Sequence, residues 1–203
     1  MSENDFNPLK IRLAAGKLAI GGWLSTGGPL IAEAMASMGF HWIAVDMEHG
    51  SADLSEIEAV FMALERHNTA PVVRISNDDV HLARRLLDLG AKGLIVSTVE
   101  DAARFRDFAA YCLYPPTGKR GVGLSRCNRW GDDFAPYLAT FSPVLIPQIE
   151  TLKGVGAAEE LSFFWLAAFE KKLFEKTMRT NAKNEAEIVM FDSLVSVYRN
   201  SSE

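Results

Sequence analysis

A chain of 203 residues, 48% hydrophobic and 23% charged, has the composition of an ordinary soluble globular protein with room for one sizeable core. Its formal net charge of -5 provides no broad basic field, so nucleic acid and anionic membrane surfaces are not expected partners and a small molecule is. No run of about 18 apolar residues offers a membrane span, the polar, acidic Met1 to Pro8 does not read as a signal peptide, and Cys112 and Cys127 fit free thiols in a reducing cytoplasm.

From residue 18 onward, short apolar runs alternate with segments of helical period, the pattern of βα units around a parallel sheet. Leu18 to Leu24 predicts a first strand, and Pro29 to Met38 a helix that opens on a proline and closes at Gly39. Trp42 to Asp46 is the second strand, followed by a helix over Leu54 to Arg66 with Asp53 as its N-cap. Pro71 to Ile75 is the third, followed by Val80 to Leu89, capped by Asp79 and stopped by Gly90. Gly93 to Val96, a helix over Glu100 to Tyr111, and Val144 to Glu150 complete the visible units. Between the last two lies a loop, Tyr114 to Phe134, whose Pro115-Pro116 and four glycines break regular structure; such long loops usually serve as lids or interfaces.

The fold class expected is α/β, a (β/α) TIM-type barrel. A complete barrel needs about 250 residues, and the sixth to eighth units are not visible, so the chain reads as a barrel truncated after its fifth strand. Residues 1–155 form that barrel-like domain and 156–203 a divergent, mostly helical tail. In the tail, 157–181 predicts one long helix rich in Phe and Lys, while Glu187 to Tyr198 fits either a strand or a second helix. A five-stranded fragment leaves two sheet edges open, which either the tail or a partner chain must cover if the product is to fold well.

Polar residues interrupt the apolar pattern at the C-terminal ends of the strands, the rim on which barrel active sites are built. Asp46-Met47-Glu48-His49-Gly50 places a histidine beside carboxylates that can orient it as a general base, although a histidine near acids is often simply structural. Arg74 ends the third strand with a donor fork suited to a carboxylate or an enolate oxygen; an ion pair tying the rim together is the competing role. Ser97 and Thr98 end the fourth strand. Gln148 and Glu150 share one side of the fifth with Ile149 facing away, and an inward carboxylate at a barrel mouth is well partnered by a divalent cation. In the long loop, Arg120 is positioned to reach an anionic substrate group or a neighbouring subunit.

Taken in order, Gly22-Trp23, Asp46 to Gly50, the Arg74 strand, Leu87-Asp88-Leu89-Gly90-Ala91, Val99-Glu100-Asp101-Ala102, the Pro-Pro-x-Gly-x-Arg-Gly-x-Gly loop and Gln148-Ile149-Glu150-Thr151 closely resemble the HpcH/HpaI aldolase/citrate lyase family over residues of about 12–155. The resemblance implies a class II, metal-dependent aldehyde-lyase that cleaves a 4-hydroxy-2-oxo acid reversibly into pyruvate and an aldehyde. It further implies a divalent ion (Mg²⁺, Mn²⁺ or Co²⁺) held by Glu150, enolate stabilisation by Arg74 and proton transfer by His49. Trp23 and Gln148 would line the substrate pocket, with Asp46 and Asp88 as acids near the histidine, one of them supplied across a subunit interface. The family's habit is a homo-oligomer, a hexamer. No lysine stands at a matching strand end, so a Schiff-base route is the poorer reading.

The chain departs from the family pattern after Val155. The family's second metal aspartate follows a sixth strand that has no counterpart here, and Asp192 after the apolar Ile188 to Phe191 is the available substitute. The alternative function is therefore a catalytically impaired homologue acting as an interaction or scaffold chain.

Overall fold

Five short strands hydrogen-bond in strict chain order, all parallel: β1 (Gly21–Leu24), β2 (Trp42–Asp46), β3 (Ala70–Ile75), β4 (Gly93–Val96) and β5 (Val144–Pro147). The computed structural model describes residues 6–166. Consecutive order with a helix in each connection is the winding of a (β/α) barrel. Among the described residues β1 and β5 are the sheet's edges. The helices are α1 (Pro8–Ala14), α2 (Pro29–Ser37), α3 (Leu54–Glu65), α4 (Val80–Leu89), α5 (Ala102–Cys112), α6 (Phe134–Thr140) and α7 (Leu152–Leu166).

The period of two along each strand divides the apolar side chains between two cores. Ile43 and Val45, Val73 and Ile75, Leu94 and Val96 face outward and pack under α2 to α5 with Phe61, Leu86, Leu87 and Phe105. Ala44, Val72 and Ile95 face inward with Trp23, Val144 and Ile146. Leu9 and Leu13 of α1 join this inner cluster. Helix α1 was not expected, although its signals stand in the sequence: Asn7 accepts from the Lys10 amide at 3.2 Å as an N-cap and Pro8 opens the first turn. Asn7 is buried, and its amide nitrogen donates to the carbonyls of Lys92 and Ser142 at 2.7 and 2.9 Å, which fixes the helix across the sheet.

Most predicted punctuation holds. Asp53 and Glu56 form a reciprocal capping box, Asp79 accepts from the amides of His81 and Leu82, and Gly90 ends α4 at φ 115°. Helix α5 starts at Ala102 rather than at residue 100, because Asp101 spends its carboxylate as the N-cap on the amides of Ala103 and Arg104. Within the long loop only a distorted 3-10 turn forms, over Arg126–Gly131, before the unexpected α6. Helix α7 begins at Leu152, earlier than the expected start at 157, and buries Leu161 in the outer core, with Ala157 packed against it. The remainder of the expected helix to 181, the segment Glu187 to Tyr198 and Asp192 lie outside the described residues.

Candidate active site at the C-terminal rim

Register places the rim groups. Trp23 pairs with Ala44, Asp46 with Arg74, Arg74 with Ile95, and Ile95 with Ile146. Since Ala44, Ile95 and Ile146 line the inner face, Trp23, Asp46 and Arg74 belong to that face too, and Gln148 and Glu150 continue it beyond β5.

Asp46 is the hub. It is 2% exposed, and its carboxylate accepts five hydrogen bonds. Oδ1 takes Arg74 Nε at 2.9 Å and the backbone amides of Glu48 and His49 at 3.0 and 3.2 Å. Oδ2 takes Trp23 Nε1 at 3.3 Å and Arg74 Nη2 in a close contact. Burial alone would raise its pKa, but Arg74 and the two amides more than offset that and hold it at about 2. Reciprocally, the Asp46 hydrogen bonds, with help from the charges of Glu48 and Glu150, hold the Arg74 proton above its ordinary range despite burial. The guanidinium carbon lies 4.9 Å from the centre of the Trp23 ring, so one face of the fork is covered by indole and one edge is taken by Asp46.

The turn after β2 returns on itself tightly. A Cβ at Gly50 would lie 2.0 Å from the Asp46 carbonyl oxygen and 2.9 Å from that of Ser25, so only glycine lets Met47 to Gly50 close. That closure brings the Glu48 and His49 amides onto Asp46. His49 is thereby fixed through its backbone, while the residue itself is exposed. Glu48 leans back over the sheet, with Oε2 3.3 Å from Arg74 Nε.

Glu150 is exposed as a residue but its carboxylate is anchored. Oε2 accepts the Thr98 amide at 2.7 Å and the Thr98 hydroxyl at 2.9 Å, and Oε1 accepts Gln148 Nε2 at 3.2 Å. Thr98 makes this possible by adopting φ 52°, a left-handed conformation that a β-branched residue rarely takes and that functional sites tend to hold. Glu48 and Thr98 are the two site residues that the sequence reading did not single out by themselves. The period-two spacing of Asp46 and Glu48, and the polar end of the fourth strand, were the signals for them.

These residues suit a divalent cation. Glu150 offers an oriented carboxylate, and the buried Gln148 Oε1 has no hydrogen-bond partner. Divalent ions such as Mg²⁺ need only one or two protein carboxylates and keep several waters. Beside Thr98 a cavity of about 160 Å³ opens, but its charges satisfy one another, Arg104 with Asp78 and Lys153 with Glu100.

Two predicted residues are placed elsewhere. Asp88 lies on α4, where its Oδ1 accepts Arg120 Nη2 at 2.6 Å. Arg120 does not reach outward as expected: it is 1% exposed and stacks 4.5 Å over the Tyr114 ring. The reversal comes from the loop itself. The amides of Lys119 and Arg120 cap the carbonyls of Ala110 and Leu113 at 2.6 and 2.8 Å, and Gly118 passes so near those two carbonyls that a Cβ would lie 2.3 to 2.4 Å away. The side chain that follows is therefore turned inward.

The family model of HpcH/HpaI aldolase/citrate lyase matches residues 19–164. A hydroxypyruvate/pyruvate aldolase of Roseovarius nubinhibens is 35% identical over 159 residues, 76% of this chain and 62% of that protein. A 4-hydroxy-2-oxovalerate aldolase of Novosphingobium aromaticivorans is 36% identical over 161 residues, 77% of this chain and 60% of that one. The chain thus spans about three fifths of the length of the curated relatives it matches. Among solved structures, an HpcH/HpaI aldolase/citrate lyase family protein from Burkholderia cenocepacia superposes with a TM-score of 0.70 at 31% identity, covering 77% of this chain and 64% of that chain.

Proposed function

The chain belongs to the HpcH/HpaI aldolase/citrate lyase family, and from that premise we propose that it is a lyase that reversibly cleaves a 4-hydroxy-2-oxo acid into pyruvate and an aldehyde. The observation that carries the proposal is the locked Arg74 fork. As the bond between C3 and C4 breaks, its electron pair forms the C2–C3 double bond of the enolate and the carbonyl π pair moves onto the keto oxygen, and a donor held in place beforehand stabilises that charge without reorganising. Asp46 occupies Nε and Nη2 and Trp23 covers one face, so the Nη1 side of the guanidinium is the part left for the oxo acid.

Cleavage also needs a base for the C4 hydroxyl proton. His49 fills that role in the proposal, with its backbone fixed by Asp46 and the residue exposed. Glu150, oriented by Thr98 and Gln148, would hold Mg²⁺, Mn²⁺ or Co²⁺. When bound there, the ion supplies Lewis-acid polarisation of the keto group. Trp23 and Gln148 would line the substrate side. Asp88, whose Oδ1 accepts Arg120 in its own chain, is assigned to the histidine of a neighbouring subunit in a cytoplasmic homo-oligomer; its side chain is 37% exposed.

Purified protein given Mg²⁺ or Mn²⁺ and a 4-hydroxy-2-oxo acid should release pyruvate, read through lactate dehydrogenase and NADH. Release no greater than in an EDTA control refutes the proposal. A second reading, a homologue without turnover acting as an interaction chain, draws on one observation: among the described residues no three His, Cys, Asp or Glu side chains are grouped to hold a metal. Under it, a chain whose circular dichroism shows an intact fold gives no pyruvate above the control.

A further inference from the structure

Asp46 and Glu48 sit against the guanidinium of Arg74, and Glu150 lies near enough for its charge to act on it, for a formal sum of -2 (three negative, one positive). Asp46 is saturated by its five donors, and Arg74 Nε gives its hydrogen to Asp46. Glu48 Oε2, though only 3.3 Å from that nitrogen, is therefore buried with no hydrogen bond of its own. Gln148 is 7% exposed, and its orientation is set by Nε2 donating to Glu150, since the flipped amide would press oxygen against oxygen. This leaves Gln148 Oε1 as a second buried acceptor without a donor. Unsatisfied buried acceptors are uncommon and each asks for an explanation.

We propose that Glu48 and Gln148 are acceptors for water molecules carried by a divalent cation at Glu150, and that the cation enters this site before the oxo acid. The inference rests on the metal reading of Glu150 given above and assigns new work to Glu48, which no other part of that reading uses. What the site lacks is donors and positive charge, and a hydrated divalent ion brings both. Its waters are polarised by the ion and donate strongly, while the ion balances the formal -2. An oxo acid alone fits poorly, because it adds a further negative charge, and a single hydroxyl proton would leave one of the two acceptors unmet. Groups that orient a metal's ligands from the next layer commonly change affinity by about 10- to 100-fold when removed.

The test is Mn²⁺ titration of the whole chain without substrate, with free Mn²⁺ read by electron paramagnetic resonance and bound water by proton relaxation. The unaltered chain should bind Mn²⁺ and Glu150→Gln should not. Glu48→Gln should weaken binding about tenfold or more and change the relaxation enhancement, with Gln148→Met doing the same to a smaller degree. Glu48→Asp keeps the charge but withdraws the oxygen, so it should also weaken binding, and it serves if Glu48→Gln fails to fold. Binding of Mn²⁺ by the unaltered chain with affinities within twofold in the folded Glu48 and Gln148 variants overturns the proposal and leaves the aldolase reading intact. No Mn²⁺ binding by the unaltered chain overturns both. Equal substrate binding with and without Mn²⁺ overturns the order of entry alone.

Discussion

Asp46→Asn removes one charge while keeping the shape of the side chain, so it isolates what the ionised carboxylate contributes to the fold. In the folded chain this group titrates at about 2 against an ordinary 3.8, because Arg74 and the Glu48 and His49 amides outweigh its burial. At about 1.4 kcal/mol per unit, that depression corresponds to roughly 2 to 3 kcal/mol in favour of the folded state. The folded value lies below the unfolded one, so the contribution is present above pH 3.8 and disappears as the pH falls through about 2. Leaving a buried cation wholly unpaired would cost more, about 3 to 5 kcal/mol, but Arg74 keeps Glu48 at 3.3 Å. Urea denaturation followed by tryptophan fluorescence should therefore find the variant less stable by roughly 2 to 3 kcal/mol at pH 7, with the gap shrinking to about half by pH 3. A gap below about 0.5 kcal/mol at pH 7, or one that does not change with pH, would refute the reasoning.

Arg74→Lys keeps the charge but loses the fork that Asp46 grips, so kcat for pyruvate release should fall by about 100-fold or more, and a loss confined to KM would count against the role given to Arg74. Gly50→Ala forces a methyl to within 2.0 Å of the Asp46 carbonyl; we expect a loss of about 2 to 4 kcal/mol in thermal or urea unfolding, and an unchanged midpoint would mean the turn relaxes freely. Asp88→Asn removes the carboxylate beside the buried Arg120 and should cost about 3 kcal/mol in the isolated chain, read by the same denaturation; a neutral effect would show that Arg120 is satisfied by other groups.

The middle of the sheet was legible because β2, β3 and β4 bury nearly every residue, and such segments stand out as apolar runs whatever lies around them. Trp42 to Asp46 and Gly93 to Val96 match the observed β2 and β4 end for end, and the four expected helices appear, α3 and α4 with the N-caps read for them. Ends were less legible where no local chemistry marks them. Leu18 to Ile20 are as apolar as the residues that follow, yet β1 starts at Gly21 because its pairing with β2 begins there, at Trp42. Helix α1 carries an N-cap, a first-turn proline and Leu9 and Leu13 one turn apart, but in seven residues these signals are too few to compete with a loop until the inner core receives the two leucines.

The rim shows where local reasoning stops. Asp46, Arg74, Gln148 and Glu150 could be picked out as polar groups ending apolar strands, and Trp23 through the family resemblance; the parallel register brings Trp23, Asp46 and Arg74 to one face. The direction of Arg120 could not be read in that way, since a basic residue between glycines looks solvated until Gly118 and two amides wrap the end of α5 and turn the side chain under the loop. Glu48 was hidden for a different reason. Beside Asp46 and His49 it looks like one more acid in an acidic turn, and only the geometry of the arginine, whose Nε hydrogen goes to Asp46, leaves Glu48 as an acceptor without a donor. A side chain's role in such a cluster depends on which hydrogen bonds its neighbours have already used, and that allocation is fixed by distances between strands rather than by order along the chain.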